Sequence, residues 1–339
     1  MLLSQGAEEF PRPLTPSEIR VDRLKKDELP KVIVITGPTA TGKTRLGILL
    51  AKKYGGEIIS ADSMQVYKGM DIGTATPDTQ EMDGVPHHLI STVEPTESYS
   101  AARFVKEASE IVDNIIKRGK IPFIVGGTGL YIDSLLYSRS FMGSNPQLRK
   151  EFSERYDREG AQAMFDLLSK CDPESAGRLH INDKKRIVRA LEVYYSTGKT
   201  ISAHNLESKM RKPVYDALWI GLNYKNRKEL YERINKRADN MIANGLVDEV
   251  KALLASGVSR NSTAMQAIGY KEIVAYVDGE MSLDEAVETI KQQSRRYAKR
   301  QISWLKGKRG INWIIWENGP EYQKACHCST KFVEDYGIL

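Results

Sequence analysis

The sequence predicts an α/β fold: a doubly wound parallel sheet with a helical insertion. Three observations predict it. A β-branched run, Val32-Ile33-Val34-Ile35, passes through a glycine-rich turn into a helical stretch reaching Tyr54. Two further apolar runs of strand length, Glu57–Ala61 and Ile121–Val125, flank an amphipathic helical pattern over Ala101–Arg118 that Gly119 ends. From about 140 to 212 the pattern becomes helical with no good strand inside it. Strand–helix alternation with apolar strands is the signature of a parallel sheet covered on both faces.

Taken in order, residues 1–30 place Pro11, Pro13, Pro16 and Pro30 among charges without periodicity, which predicts a flexible N-terminal tail. The α/β core is assigned to 31–139 and 213–318, with helices over 146–170 and 183–197 in the 140–212 insertion. Ala217–Leu222 returns the chain to the sheet. Helices follow over 226–256 and 282–307, then a strand over Ile311–Trp316, and 319–339 is read as a C-terminal tail. The 339 residues are 41% apolar and 28% charged, and 50 basic against 44 acidic side chains give a net charge of +6. Such a chain is globular, and an excess that small does not prove a polyanionic partner. Three cysteines, Cys171, Cys326 and Cys328, are too few and too scattered for a secreted disulfide scaffold and suit a reducing cytosol. No apolar run approaches the roughly 20 residues of a membrane span, and no signal peptide is evident, so no membrane association is expected.

Gly37-Pro38-Thr39-Ala40-Thr41-Gly42-Lys43-Thr44 fits G-x-x-x-x-G-K-[ST] between a strand and a helix. The glycines let backbone N–H groups turn around a phosphate, and the helix adds its positive end. Lys43 supplies a cation for the outer phosphates, and the Thr44 hydroxyl suits a Mg²⁺ ligand. The fold is therefore P-loop NTPase-like, and the motif calls for a diphosphate-like ligand with Mg²⁺, not ATP in particular. No strand ends in the acid that a phosphoryl transferase usually carries; Ile121–Val125 runs into Gly126. The acid that does follow a strand is Asp62, at the sheet end where such folds bind ligands. It could help hold Mg²⁺, act as a general base, or serve only as a turn residue.

These residues form a wider pattern. The chain resembles the bacterial tRNA dimethylallyltransferases, which prenylate an adenosine next to the anticodon. The likeness runs from about Lys31 to Trp304. Beside the phosphate loop it rests on Ser60–Ala75 (SADSMQVYKGMDIGTA), Gly84–Leu89, Gly126–Tyr131 (GGTGLY), Arg186–Glu192 (RIVRALE), Gln266–Glu272 (QAIGYKE) and Arg295–Gln301 (RRYAKRQ). Thr76 stands where a lysine is usual and Ser91 where an aspartate is usual.

The resemblance implies that Gly37–Thr44 holds the diphosphate of dimethylallyl diphosphate, with Mg²⁺ on Thr44 as the cofactor. As adenine N6 attacks C1 and the C1–O bond breaks, charge grows on the diphosphate, which fixed cations stabilise. Lys43 and an arginine are the expected cations. Arg233 and Arg237 lie four residues apart on one helix face, and the family pattern favours Arg237; pairing with Glu229 or Glu232 is the alternative. Asp62 takes the N6 proton, and Thr128 holds the same amine in place. Asp62, Ser63, Met64 and Gln65 form the segment that contacts the acceptor adenosine, which must be flipped from its loop. Lys185, Arg186, Ile187, Val188 and Arg189 of the insertion, with Arg295 and Arg296, are the expected contacts to the anticodon stem-loop of tRNA. Thr289–Trp316 holds eight bases and no acid, with Tyr297 and Trp304 among them, either a phosphate-binding face or a solvated helix. His87-His88 and Cys326-His327-Cys328 lack metal-ligand spacing. No protein partner is implied, and a monomer is expected. Two other readings remain: a P-loop small-molecule kinase and a non-catalytic RNA-binding module.

Overall fold

A computed structural model describes residues 29–138 and 141–338; the expected tail over 1–30 lies outside them except for its last two residues. Six strands form one sheet, β1 Lys31–Thr36, β2 Glu57–Ser60, β3 His87–His88, β4 Pro122–Val125, β5 Asp216–Tyr224 and β6 Ile311–Trp316. Their order is β3-β2-β4-β1-β5-β6 and every pairing is parallel. Successive side chains of a strand face opposite layers, and here both layers are apolar. Val32, Val34, Ile59 and Ile124 enter one core, while Ile33, Ile35, Ile58 and Phe123 enter the other. This is why the strands read as unbroken apolar runs rather than alternating ones.

The second layer is covered by α1 (Lys43–Tyr54), and the first by α2 (Ala101–Lys117), whose Phe104, Ala108, Val112 and Ile115 are buried. Helix α3 (Gly129–Leu136) follows β4. The insertion holds α4 (Pro146–Glu159), α5 (Ala161–Cys171), α6 (Lys184–Thr197) and α7 (Ile201–Lys209). It has its own core, in which Phe152, Met164, Leu168, Ile187 and Leu191 meet. After β5 come α8 (Arg227–Ala243), α9 (Leu246–Ala255), α10 (Tyr270–Val277) and the long α11 (Leu283–Lys306). The stretches read as single helices over 146–170 and 226–256 are each broken by a glycine of positive φ, Gly160 and Gly245.

The tail expected over 319–339 is instead structured within its described part: Tyr322–Tyr336 forms a helix, α12, packed on the sheet through Ala325, Ser329 and Val333. Its far end is tied to two strands: Lys31 Nζ of β1 donates to the carbonyl of Gly337 at 2.8 Å, and the Tyr336 hydroxyl bonds Asp216 of β5. Among the described residues no helix is long and apolar enough to cross a membrane.

Candidate active site

Because β1 lies between β4 and β5 while its chain moves on to β2, the loops after β1, β2 and β4 meet at one edge, the position where open α/β sheets place ligands. The phosphate loop opens at Gly37, where a β-carbon would lie 2.3 Å from the Leu222 carbonyl oxygen. Within it Ala40 takes a left-handed φ of 64°, a strain that such ligand loops hold when their surroundings fix them. Several contacts do so here. The Thr41 hydroxyl donates to the Pro38 carbonyl at 2.8 Å, Trp316 Nε1 to the Thr41 carbonyl at 3.0 Å, and the Thr39 N–H to Gln301 Oε1 at 2.8 Å. No side chain caps α1, whose N-cap is Gly42, so the amides of its first turn remain available to an anion. Lys43 Nζ, which donates to Pro38 O at 2.8 Å, has its pKa pushed down to about 8 by burial and by the neighbouring Arg237 charge, against the pull of Asp62.

Asp62 and Thr128 follow adjacent strands, β2 and β4. The strand ends approach closely because Gly126 has no side chain: a β-carbon there would lie 2.3 Å from the Ala61 carbonyl oxygen. That contact lets the Thr128 N–H donate to Ala61 O at 3.1 Å. Asp62 Oδ1 accepts from the Met64 N–H at 2.9 Å, and Thr128 Oγ1 accepts from the Ser63 N–H at 3.2 Å. The turn role considered for Asp62 is thus real, but it uses one carboxylate oxygen. Asp62 also acts electrostatically on Lys43 and Arg237. Tyr297 stands against the same group. Burial and then the Asp62 charge push its phenol up to about 12, so it stays protonated beside Thr128 and Gln301.

The two arginines separate clearly. Arg237 is half-buried, donates to the Thr74 carbonyl at 3.1 Å, and has its pKa lowered by burial against Asp62's opposing charge. Arg233 is exposed, lies over the Tyr224 ring at 5.8 Å, and reaches the Ala40 carbonyl at a weak 3.5 Å. Glu232 meets Lys228 instead of either arginine.

A cavity of about 270 Å³ is lined by Asp62, Arg237 and Tyr297 together with Met64, Ile234, Met241, Ile268 and Ile290. A wider groove of about 710 Å³, sharing Arg237 and Met241, runs past Ala40, Gly42 and Arg233. The wider groove carries the cations Arg233, Lys236 and Arg237, while the smaller cavity carries most of the apolar side chains. The sequence reading did not find this apolar wall. Ile234, Ala238 and Met241 recur at i, i+4 and i+7 on α8, which is also the pattern of an ordinary core helix. Gln301 was quoted within a motif but not assigned; its amide clips the phosphate loop to the Gly127 carbonyl, 3.1 Å away.

The expected RNA contacts divide. Lys185 and Arg186 are exposed on the insertion, as is Arg296 on α11. Three assignments are corrected. Ile187 and Val188 lie in the insertion core, 0% and 4% exposed. Arg189 is turned inward, bonded to Glu192 at 2.7 Å and to the Met142 carbonyl at 2.9 Å. The helix pattern puts Arg186 and Arg189 on one side, but a buried carboxylate claims the second. Arg295 bonds Asn235. Ser63 and Met64 line the cavity, whereas the Gln65 amide is engaged by Ser60 Oγ at 2.9 Å and the Ala75 carbonyl at 3.2 Å. Within the basic stretch Lys291 pairs with Asp239, while Lys308 and Trp304 Nε1 both hold Asp133. His87 and His88 bond Val85 O and Glu57, so they fasten β3. Among the described residues no cluster of three His, Cys, Asp or Glu could hold a metal. Thr44, in the first turn of α1, offers a single oxygen donor.

The chain is similar to known proteins along most of its length. The family model "IPP transferase" matches residues 65–308, and "Isopentenyl transferase" matches 30–94. A tRNA dimethylallyltransferase of Caldanaerobacter subterraneus is 52% identical over 299 residues, 87% of this chain and 94% of that protein. The crystal structure of a tRNA isopentenylpyrophosphate transferase from Staphylococcus epidermidis is 44% identical, with a TM-score of 0.67 over 90% of this chain and 99% of the other. A eukaryotic dimethylallyltransferase acting on tRNA is 32% identical, with a TM-score of 0.74 over 90% and 80% of the two chains. With most of its length matched by that family model and by relatives of such identity, the chain belongs to the tRNA dimethylallyltransferase family of IPP transferases.

Proposed function

We propose that this protein transfers a dimethylallyl group from dimethylallyl diphosphate to N6 of the adenosine 3′ of the anticodon (position 37) in tRNA, releasing diphosphate. The observation that carries the reading is the division of one site into a cationic groove and a more apolar cavity that share Arg237 and Met241, with Asp62 lining the cavity and Thr128 bonded to its neighbour Ser63. The diphosphate lies on the amides of Gly37–Thr44 beside Lys43 and Arg237, and the five-carbon tail lies against Ile234, Met241 and Ile290.

The chemistry follows from the charges. Adenine N6 is a weak nucleophile because its lone pair is delocalised into the ring. As it attacks C1, the C1–O electron pair leaves with the diphosphate, and Lys43 and Arg237 stabilise the growing negative charge. Asp62 accepts the proton that N6 loses, using the oxygen left outside its turn. Thr128 holds the amine over C1. Mg²⁺ fits as a companion of the diphosphate: Thr44 would supply one ligand and diphosphate oxygens others, and the ion would supply further charge stabilisation for the leaving group. Lys185, Arg186 and Arg296 contact tRNA phosphates. Phosphoryl transfer is disfavoured because β4 ends at Val125 and runs into Gly126, leaving no strand-end acid there for a second magnesium contact.

The test is mass spectrometry of nucleosides from unmodified tRNA incubated with the protein, Mg²⁺ and dimethylallyl diphosphate. Adenosine carrying one added five-carbon unit is expected, with no ADP formed when ATP replaces the donor. ADP release without prenylated adenosine would overturn the reading.

A further inference from the structure

The segment 70–75 walls both chambers, Gly73 and Thr74 facing the smaller one and Asp71, Ile72 and Ala75 the larger. Its shape is held from outside. Glu249, in the first turn of α9, places its carboxylate among three consecutive backbone amides. Oε2 accepts from Asp71 N–H at 2.9 Å and Ile72 N–H at 2.8 Å, and Oε1 accepts from Gly73 N–H at 3.3 Å. The Tyr270 hydroxyl donates to Oε1 at 2.6 Å. Successive amides turned toward one point form an anion nest, and this protein fills the nest with its own carboxylate. Gly73 permits the fit, since a β-carbon there would lie 2.3 Å from the Tyr270 ring. The next carbonyl along, that of Thr74, is the one that accepts from Arg237 Nη2.

We propose that Glu249 is a positioning residue for departure of the diphosphate: by gathering the amides of 71–73 it fixes the Thr74 carbonyl that aims Arg237. Nothing on Arg237's own helix does this. Without the carboxylate, three amides facing one another lose their shared acceptor, the segment relaxes, and the guanidinium loses its anchor. The inference rests on Arg237 facing the diphosphate, as proposed above.

The experiment is a double-mutant cycle on the full chain, with kcat and both KM values measured under saturating co-substrate. Glu249→Gln puts an amide N–H₂ where the nest needs an acceptor. It is expected to lower kcat about tenfold with the KM for tRNA unchanged and, in an Arg237→Ala background, to cost less than about twofold. Tyr270→Phe, which removes one donor of four, is expected to lower kcat by about threefold with the same dependence on Arg237, and it stands in if Glu249→Gln melts early. Equal losses with and without Arg237 would overturn the link while leaving the arginine's role intact. A folded Glu249→Gln protein with normal kcat would overturn it too. An Arg237→Ala protein of full activity would overturn the arginine's role first, and the link with it.

Discussion

The insertion and the mouth of the sheet use the same charged residue types in opposite ways. In the insertion, Glu192 is 0% exposed and is surrounded by Arg149, Arg189 and the Asn145 N–H. Asp172, 1% exposed, takes both the hydroxyls and the N–H groups of Ser175 and Ser202. Every carboxylate oxygen there has at least one donor from the chain itself. At the sheet mouth, burial and then repulsion from Arg237 loosen the proton on Lys43, and the two cations share one acid, Asp62. Matched charges hold a structure together, while mismatched ones are tolerated where a ligand completes the balance.

The largest test of this contrast is Asp62→Ala. Turnover should fall by about 10²–10⁴-fold, the range for a positioned general base, while tRNA affinity changes by no more than a few-fold; single-turnover kinetics and a filter-binding titration report the two. Weakened binding with normal turnover would make Asp62 a binding residue instead.

Glu192→Gln should do the reverse. Breaking a buried pair from one side costs about 3 kcal/mol, read as a lower urea midpoint, with kcat of the folded protein unchanged. The sign of the pH effect follows. Burial raises the Glu192 pKa, but Arg149, Arg189 and the Asn145 N–H outweigh it and hold the carboxyl below its ordinary value. Its contribution is present above the unfolded pKa and disappears as pH falls through the folded one, so Glu192→Gln should flatten acid unfolding.

Lys43 gives a third test. With its pKa lowered to about 8, Lys43 must regain its ammonium form for the proposed diphosphate to bind. The KM for dimethylallyl diphosphate should rise about tenfold per pH unit above 8 and stay flat just below it, and Lys43→Met should remove the slope. The empty protein should meanwhile gain stability between about pH 8 and 10, because the unfolded chain binds the proton that the folded one has released. A pH-independent KM would contradict the loose proton.

The smallest effect belongs to the insertion surface. Lys185→Ala with Arg186→Ala should lower the slope of log affinity for tRNA against log salt by about 2, one per lost phosphate contact. Arg189→Ala should instead resemble Glu192→Gln in melting earlier. An unchanged salt slope would take Lys185 and Arg186 out of the RNA interface.

How much of this could be read from the sequence depended on residue type. The strands were legible because β-branched runs buried on both faces have few other homes, and the phosphate loop because its glycines obey a backbone requirement. The last helix was not: it packs through Ala325, Ser329 and Val333 at four-residue spacing, a face too small and too polar to register as apolar. Arg189 was misread because its partner, Glu192, lies one turn ahead on the same helix, and sequence does not say which carboxylate is buried. Glu249 was missed because it recognises backbone amides 176–178 residues away, which leave no mark in residue identity.

The tie between Lys31 and Gly337 spans 306 positions. The opening strand of the sheet, which leads directly into the Gly37–Thr44 loop, therefore meets this partner only after residue 337 has been made. Trp316, whose indole holds Thr41, also comes late. A nascent chain can bury much of its interior beforehand, but it can finish this loop only once Trp316 has been made, so products stalled or clipped before that residue should be inert well before they are unfolded.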